Sequence, residues 1–147
     1  MFKNIAFIVS VFLINACAVQ NPVSAADDEL EVHKLVIQMN KKNPKLQAEV
    51  LSNIVNISKY YGIDNVEIGL VAYGPGIWFL SKESEFRKRI ESLMLQDVVF
   101  TACGNTITTV KRDKGIDIKL IDGVNIVKNG IPRIMWLQEQ GHSYLSP

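Results

Sequence analysis

The strongest constraint on this chain is an alternation along it: short apolar runs, each followed by a stretch with helical periodicity. His33-Lys34-Leu35-Val36-Ile37-Gln38-Met39 has a nearly continuous apolar middle, as a strand buried on both faces requires. Asn43-Pro44 then opens a helix in which Leu46, Val50, Ile54 and Ile57 line one face, and Gly62 ends it. The pattern returns with Val66–Tyr73 as a second strand, then the turn Gly74-Pro75-Gly76 and a helix over 81–96. Ser81 is placed to cap that helix, with Phe86, Ile90, Leu93 and Met94 as its buried stripe. Asp97–Ala102 reads as a third strand, with a short helix following from Asn105 or Thr106 to about Asp113. Ile116–Ile121 reads as a fourth strand and Asn125–Val127 as a brief fifth element. Gly130 precedes a final helix, Ile131–Gln140, and a tail, His142–Pro147. Strands joined through helices pair in parallel, and the helices cover the sheet. A length of 147 residues suits one such domain and not two. The expectation is a single α/β domain, doubly wound around a mainly parallel sheet of about five strands.

The first residues differ from the rest. Lys3 is followed by Ile5–Ile14, apolar apart from Ser10. About ten such residues are too few to span a bilayer, which takes about 20, but they suit the core of a signal peptide. Val23-Ser24-Ala25 before Ala26 has the small-residue pattern of a cleavage site. Residues 1–26 are therefore expected to be a signal peptide and 27–147 the folded domain. Ile14-Asn15-Ala16-Cys17 also resembles a lipobox, in which the cysteine is lipidated, so anchoring through Cys17 and simple removal both remain open. Either outcome denies Cys103 a disulfide partner. No other segment is long and apolar enough to cross a membrane, and the expected location is periplasmic or secreted. Loss of Lys3 leaves 15 bases against 15 acids, which argues against a nucleic-acid surface.

Cys103 is the residue most suggestive of chemistry. It stands in Phe100-Thr101-Ala102-Cys103-Gly104-Asn105-Thr106, where an apolar run gives way to small and polar residues. A thiol at the start of a helix is shifted toward thiolate by the helix dipole. A buried small residue finishing a core strand fits the same position, since free cysteines are often buried. In open α/β sheets, ligands bind beyond the carboxyl ends of the strands. Two loops belong there: one with Gly74 and Gly76, the other with Gly104, Asn105 and Thr106. These are the expected ligand-binding residues, with Cys103 as the reactive group. Gly-Pro-Gly also serves as a plain tight turn, and Asn105 and Thr106 as helix caps. No glycine-rich dinucleotide fingerprint follows the first strand and no P-loop is present, so no cofactor is expected. His33 and His142 lack neighbours at ligand spacing, so no metal site is expected. His142 reads as a surface residue, Trp78 and Trp136 as core or interface aromatics. Glu83, Glu85, Glu91 and Asp97 read as a solvated helix face.

Three blocks together are more specific: Val71-Ala72-Tyr73-Gly74-Pro75-Gly76, Val99 through Thr106, and Gln138-Glu139-Gln140-Gly141-His142-Ser143-Tyr144. In this order they resemble the DsrE/DsrF-like family, in particular its small exported single-domain members. The resemblance implies a flavodoxin-like fold, homo-oligomers (often trimers or hexamers), and sulfur transfer in which a cysteine after a sheet strand carries a persulfide. Cys103 matches that position, and a sulfur donor or acceptor protein is the implied partner. The relay proteins of the family are cytoplasmic, whereas this chain carries an export signal, and Ala-Cys-Gly-Asn-Thr differs from their surroundings. The alternative is a non-catalytic periplasmic module that binds a small ligand or assembles, with Cys103 structural. Excess apolar surface on the last helix, from Ile131, Ile134, Met135, Trp136 and Leu137, also points to a homo-oligomer.

Overall fold

A computed structural model describes residues 32–147. The signal peptide, the Cys17 lipobox and the acidic lead from Asp27 to Glu31 lie outside the described residues. Five strands form one sheet: β1 (His33–Met39), β2 (Val66–Ala72), β3 (Val99–Cys103), β4 (Asn125–Val127) and β5 (Ser143–Leu145). The order across the sheet is β4-β3-β2-β1-β5, and all neighbours are parallel. Four α-helices join them: α1 (Pro44–Tyr61), α2 (Arg87–Met94), α3 (Gly104–Lys114) and α4 (Gly130–Glu139). The fold is therefore the expected α/β sheet with helices on both faces.

The two faces are unequal. The larger core joins Ile37, Met39, Leu70, Ala72 and Phe100 of the sheet to Leu51 and Ile54 of α1 and Ile90 of α2, with Ile107 of α3 at its edge. The chain thus steps from β1 to β4 with its crossovers on one side. Only α4 serves the other face, where Ile134 and Leu137 pack on Val36 and Val71, with Tyr73 alongside. That last crossover carries the chain back across the sheet to β5, beside β1.

Local chemistry accounts for several boundaries. Asn43 Oδ1 accepts the Leu46 amide at 3.3 Å to start α1, and Gly62, at φ 88°, donates to Ser58 O to close it. Other expectations need correcting. The turn after β2 is a longer 3₁₀ segment, Gly74–Leu80, and α2 begins only at Arg87. Ser81 does not cap it. It is buried in an isolated antiparallel bridge to Leu120, flanked by Lys82 N–Lys119 O at 2.8 Å and Ile121 N–Leu80 O at 3.0 Å. That bridge takes up the segment read as a fourth strand: Ile118 and Ile121 point into the core, but β4 is the later Asn125–Val127. Asp97 does not open β3; it turns the chain after α2 at φ 61°, a conformation that, glycine apart, Asp and Asn adopt more readily than most residues. Glu83 and Glu85 accordingly lie before α2 and not on it. The C-terminal tail is ordered as β5, with Leu35, Val36 and Ile37 opposite Ser143, Tyr144 and Leu145.

Candidate functional site

β3 runs into α3 without a loop: Cys103 is the last strand residue and the cap position of the helix that starts at Gly104. Alternation along β3 puts Cys103 on the α4 side of the sheet, since Phe100 and Ala102 belong to the opposite core. The first residue of α4 meets it there, and the Gly130 amide donates to Cys103 Sγ at 3.3 Å. Two helix N-termini thus converge on one sulfur. The approach is close enough to favour glycine at 130, because a Cβ there would sit 3.3 Å from both Cys103 Cβ and Tyr73 Cβ and 3.4 Å from Val71 Cγ1.

Hydrogen bonds fasten the surrounding loops. Asn105 donates its amide to Lys128 O at 3.0 Å, joining the start of α3 to the β4–α4 connection. Thr106 Oγ1 accepts the Gly74 amide at 3.0 Å, joining α3 to the loop after β2. Gly104 lets β4 run close by, since a Cβ would lie 3.1 Å from Val127 O. Gly74, Cys103, Gly104, Asn105 and Thr106 are thus neighbours at the carboxyl edge. Gly76 stands apart, over the end of β1, where a Cβ would fall 2.2 Å from Met39 O.

Cys103 is 6% exposed. Burial by itself pushes its thiol pKa up, but hydrogen bonds from the Thr106 hydroxyl and from the Thr106, Gly130 and Asn105 amides outweigh it and leave the pKa below the ordinary value. No basic side chain contributes to that balance. His142 sits at the amino edge of the sheet, with Nδ1 donating to Leu137 O at 3.0 Å and Nε2 4.0 Å from Glu67 Oε2. It cannot serve as a base for Cys103. Nor does its ring stand out in solvent, since the side chain is 9% exposed. Trp78 packs at the edge of the larger core, whereas Trp136 stands half exposed on α4.

Sequence reasoning does not single out Gly130 or the polar cluster beside Tyr73. Gln38 Oε1 accepts both Tyr73 OH, at 2.8 Å, and Tyr144 OH, at 2.7 Å, while Gln38 Nε2 donates to Ser146 Oγ at 3.0 Å. This cluster pins β5 against β1 on the α4 side. A glycine opening a helix before Ile131-Pro132 was the visible sign of Gly130, but its closeness to Cys103 depends on the chain returning across the whole sheet. Among the described residues no group of three or more His, Cys, Asp or Glu side chains is placed to hold a metal, and no helix is long and apolar enough to cross a membrane.

Solved structures share this arrangement of strands and helices. MTH1491 from Methanobacterium thermoautotrophicum, described as of unknown function, is 29% identical, with a TM-score of 0.70 over 78% of this chain and 99% of that one. The ychN protein from E. coli is 18% identical, with a TM-score of 0.61 over 78% of this chain and 99% of its own. BT1422 from Bacteroides thetaiotaomicron, a conserved protein of unknown function, is 18% identical, with a TM-score of 0.55 over 86% of this chain and all of its own, 100%. The chain has a YchN-like fold. No family model and no curated protein matches it.

Proposed function

We propose that this is an exported DsrE/DsrF-like protein whose Cys103 takes up and passes on sulfane sulfur. The observation that carries the reading is the set of donors around Cys103 Sγ, which favours the thiolate without any neighbouring base. In the loading step the thiolate attacks the terminal sulfur of a donor persulfide, R–S–SH. A Cys103 S–S bond forms, the donor S–S bond breaks, and R–S⁻ leaves with its electron pair, so no outside oxidant is needed. Attack by an acceptor thiolate on the outer sulfur reverses the exchange and returns Cys103 as thiolate. The Gly130 amide, 3.3 Å from Sγ, and the neighbouring Thr106 hydroxyl and amide would hold the sulfur anion at each stage. At 6% exposure the thiol admits a slender donor, such as the end of a polysulfide, more readily than a folded protein loop.

Export rests on the charged and apolar N-terminus and on the cleavage pattern before Ala26, with lipidation at Cys17 as the anchored form. Assembly into a trimer or hexamer is supported by Ile131, Met135 and Trp136, half exposed on α4. The burial of Cys103 favours one other reading, a packed thiol in a binding or assembly module. Intact mass after incubation with inorganic polysulfide separates the two. The mature protein should gain sulfur and Cys103→Ser should gain none. A wild-type protein of unchanged mass would remove the sulfur-carrier reading.

A further inference from the structure

The start of α4 closes over Cys103, yet this helix is lightly held. Its Gly130 amide stands 3.3 Å from Sγ, and Cys103 is 6% exposed. Beyond Gly130, the buried residues of α4 are Ile134 and Leu137, which pack on Val36 and Val71 in the smaller core. A crevice of about 620 Å³ opens between helix and sheet, with Gly69, Val99 and Thr101 on one wall and Arg133, Trp136 and Leu137 on the other. Asn129 gives the first turn no side-chain cap. The far end is tied down better. Leu137 O accepts both the His142 amide, at 3.1 Å, and His142 Nδ1, at 3.0 Å, just before β5 joins the sheet.

Arg133, in that first turn, makes the closed position costly. Its guanidinium lies 4.3 Å over the ring of Trp136. Its Nε–H is cut off from solvent and has no acceptor, the one such side-chain atom among the described residues. A buried donor without a partner destabilises the state that buries it. Lifting the first turn returns that donor to water and uncovers Sγ in the same movement. From these observations we infer that α4 is a lid over Cys103, hinged at its C-terminal end, and that the thiol is reached when the first turn lifts. Such local opening of a thinly packed element takes less free energy than unfolding the domain. The closed lid supplies the amide that favours the thiolate but seals the sulfur. The open lid exposes the sulfur and withdraws the amide. The inference needs a covered Cys103 and does not depend on what that thiol carries.

Iodoacetamide is the probe, its reaction with Cys103 followed by intact mass at a pH above the thiol's midpoint. There the thiolate fraction no longer matters, and the rate reads how often the lid is open. Ile134→Val thins the packing beneath α4 and should speed the reaction about twofold to tenfold. Ile54→Val makes the same change in α1 and the larger core and should leave the rate alone. Arg133→Met removes the stranded donor and keeps a side chain that packs on Trp136, so it should slow the reaction about tenfold. Hydrogen exchange of the α4 amides should move in the same direction in each variant. If Arg133→Met fails to fold, the two isoleucine variants still decide the matter. Equal acceleration by both would mean that Cys103 is reached by global unfolding, and no effect of either that it is reached with α4 closed. Each result overturns the inference, as does an Arg133→Met protein modified as fast as wild type.

Discussion

Replacing Gly130 with alanine places a methyl group 3.3 Å from Cys103 Cβ and Tyr73 Cβ and 3.4 Å from Val71 Cγ1. Carbon atoms at rest stand about 3.5–4.0 Å apart, so the start of α4 must retreat by a few tenths of an ångström. Overpacking of this kind costs about 1–3 kcal/mol, and alanine returns up to about 1 kcal/mol through lower backbone entropy. A net loss of about 1–2 kcal/mol should appear as a lower denaturant midpoint with an unchanged slope. The retreat also draws the Gly130 amide away from Cys103 Sγ, now at 3.3 Å. With that donor weakened and burial unchanged, the thiol pKa must rise. Alkylation rate against pH should therefore show a later midpoint in Gly130→Ala than in wild type. Gly115→Ala is the control: at φ 67° with open space around it, it should cost about 1–2 kcal/mol and leave the alkylation midpoint alone. An unchanged midpoint in Gly130→Ala, despite the stability loss, would refute the claim that α4 holds the sulfur anion.

Gly76→Ala should be costlier, about 3 kcal/mol or more in chemical denaturation, because its methyl would meet backbone at 2.2 Å from Met39 O. Thr106→Val keeps the shape but strands the Gly74 amide now bonded at 3.0 Å; a loss of about 1–2 kcal/mol and a raised thiol pKa are expected by the same two assays. A depressed folded pKa makes Cys103 contribute stability that is full above the unfolded thiol's value of about 8.5 and lost as pH falls through the folded value. The stability of wild type minus that of Cys103→Ser should accordingly grow as pH rises toward the unfolded thiol's value of about 8.5 and level off above it, and a flat difference would contradict the shift.

Much of this was legible in the residues themselves. β1, β2 and α1 announce themselves because their apolar spacing and their caps agree, and Cys103 falls where an apolar run meets Gly104-Asn105. Errors arose where tertiary pairing overrode local pattern. Ile116–Ile121 has the apolar content of a strand, yet its partner is the single bridge residue Ser81 and not the sheet edge. β5 is only three residues long and gains its order from β1 and from the Gln38–Tyr144 hydrogen bond, neither of which is local. The site was half visible for the same reason. Gly104, Asn105 and Thr106 adjoin Cys103 in sequence, whereas Gly130 lies 27 residues away.

The most direct test of the account is the titration of Cys103 itself, read from the ultraviolet absorbance of the thiolate as wild type minus Cys103→Ser. Burial and hydrogen bonding oppose each other at this sulfur, and the structure has hydrogen bonding ahead. A midpoint below the free-cysteine value of about 8.5 is predicted. A midpoint at or above it would mean that burial prevails, leaving Cys103 a packed thiol and the sulfur-carrier proposal without its physical basis.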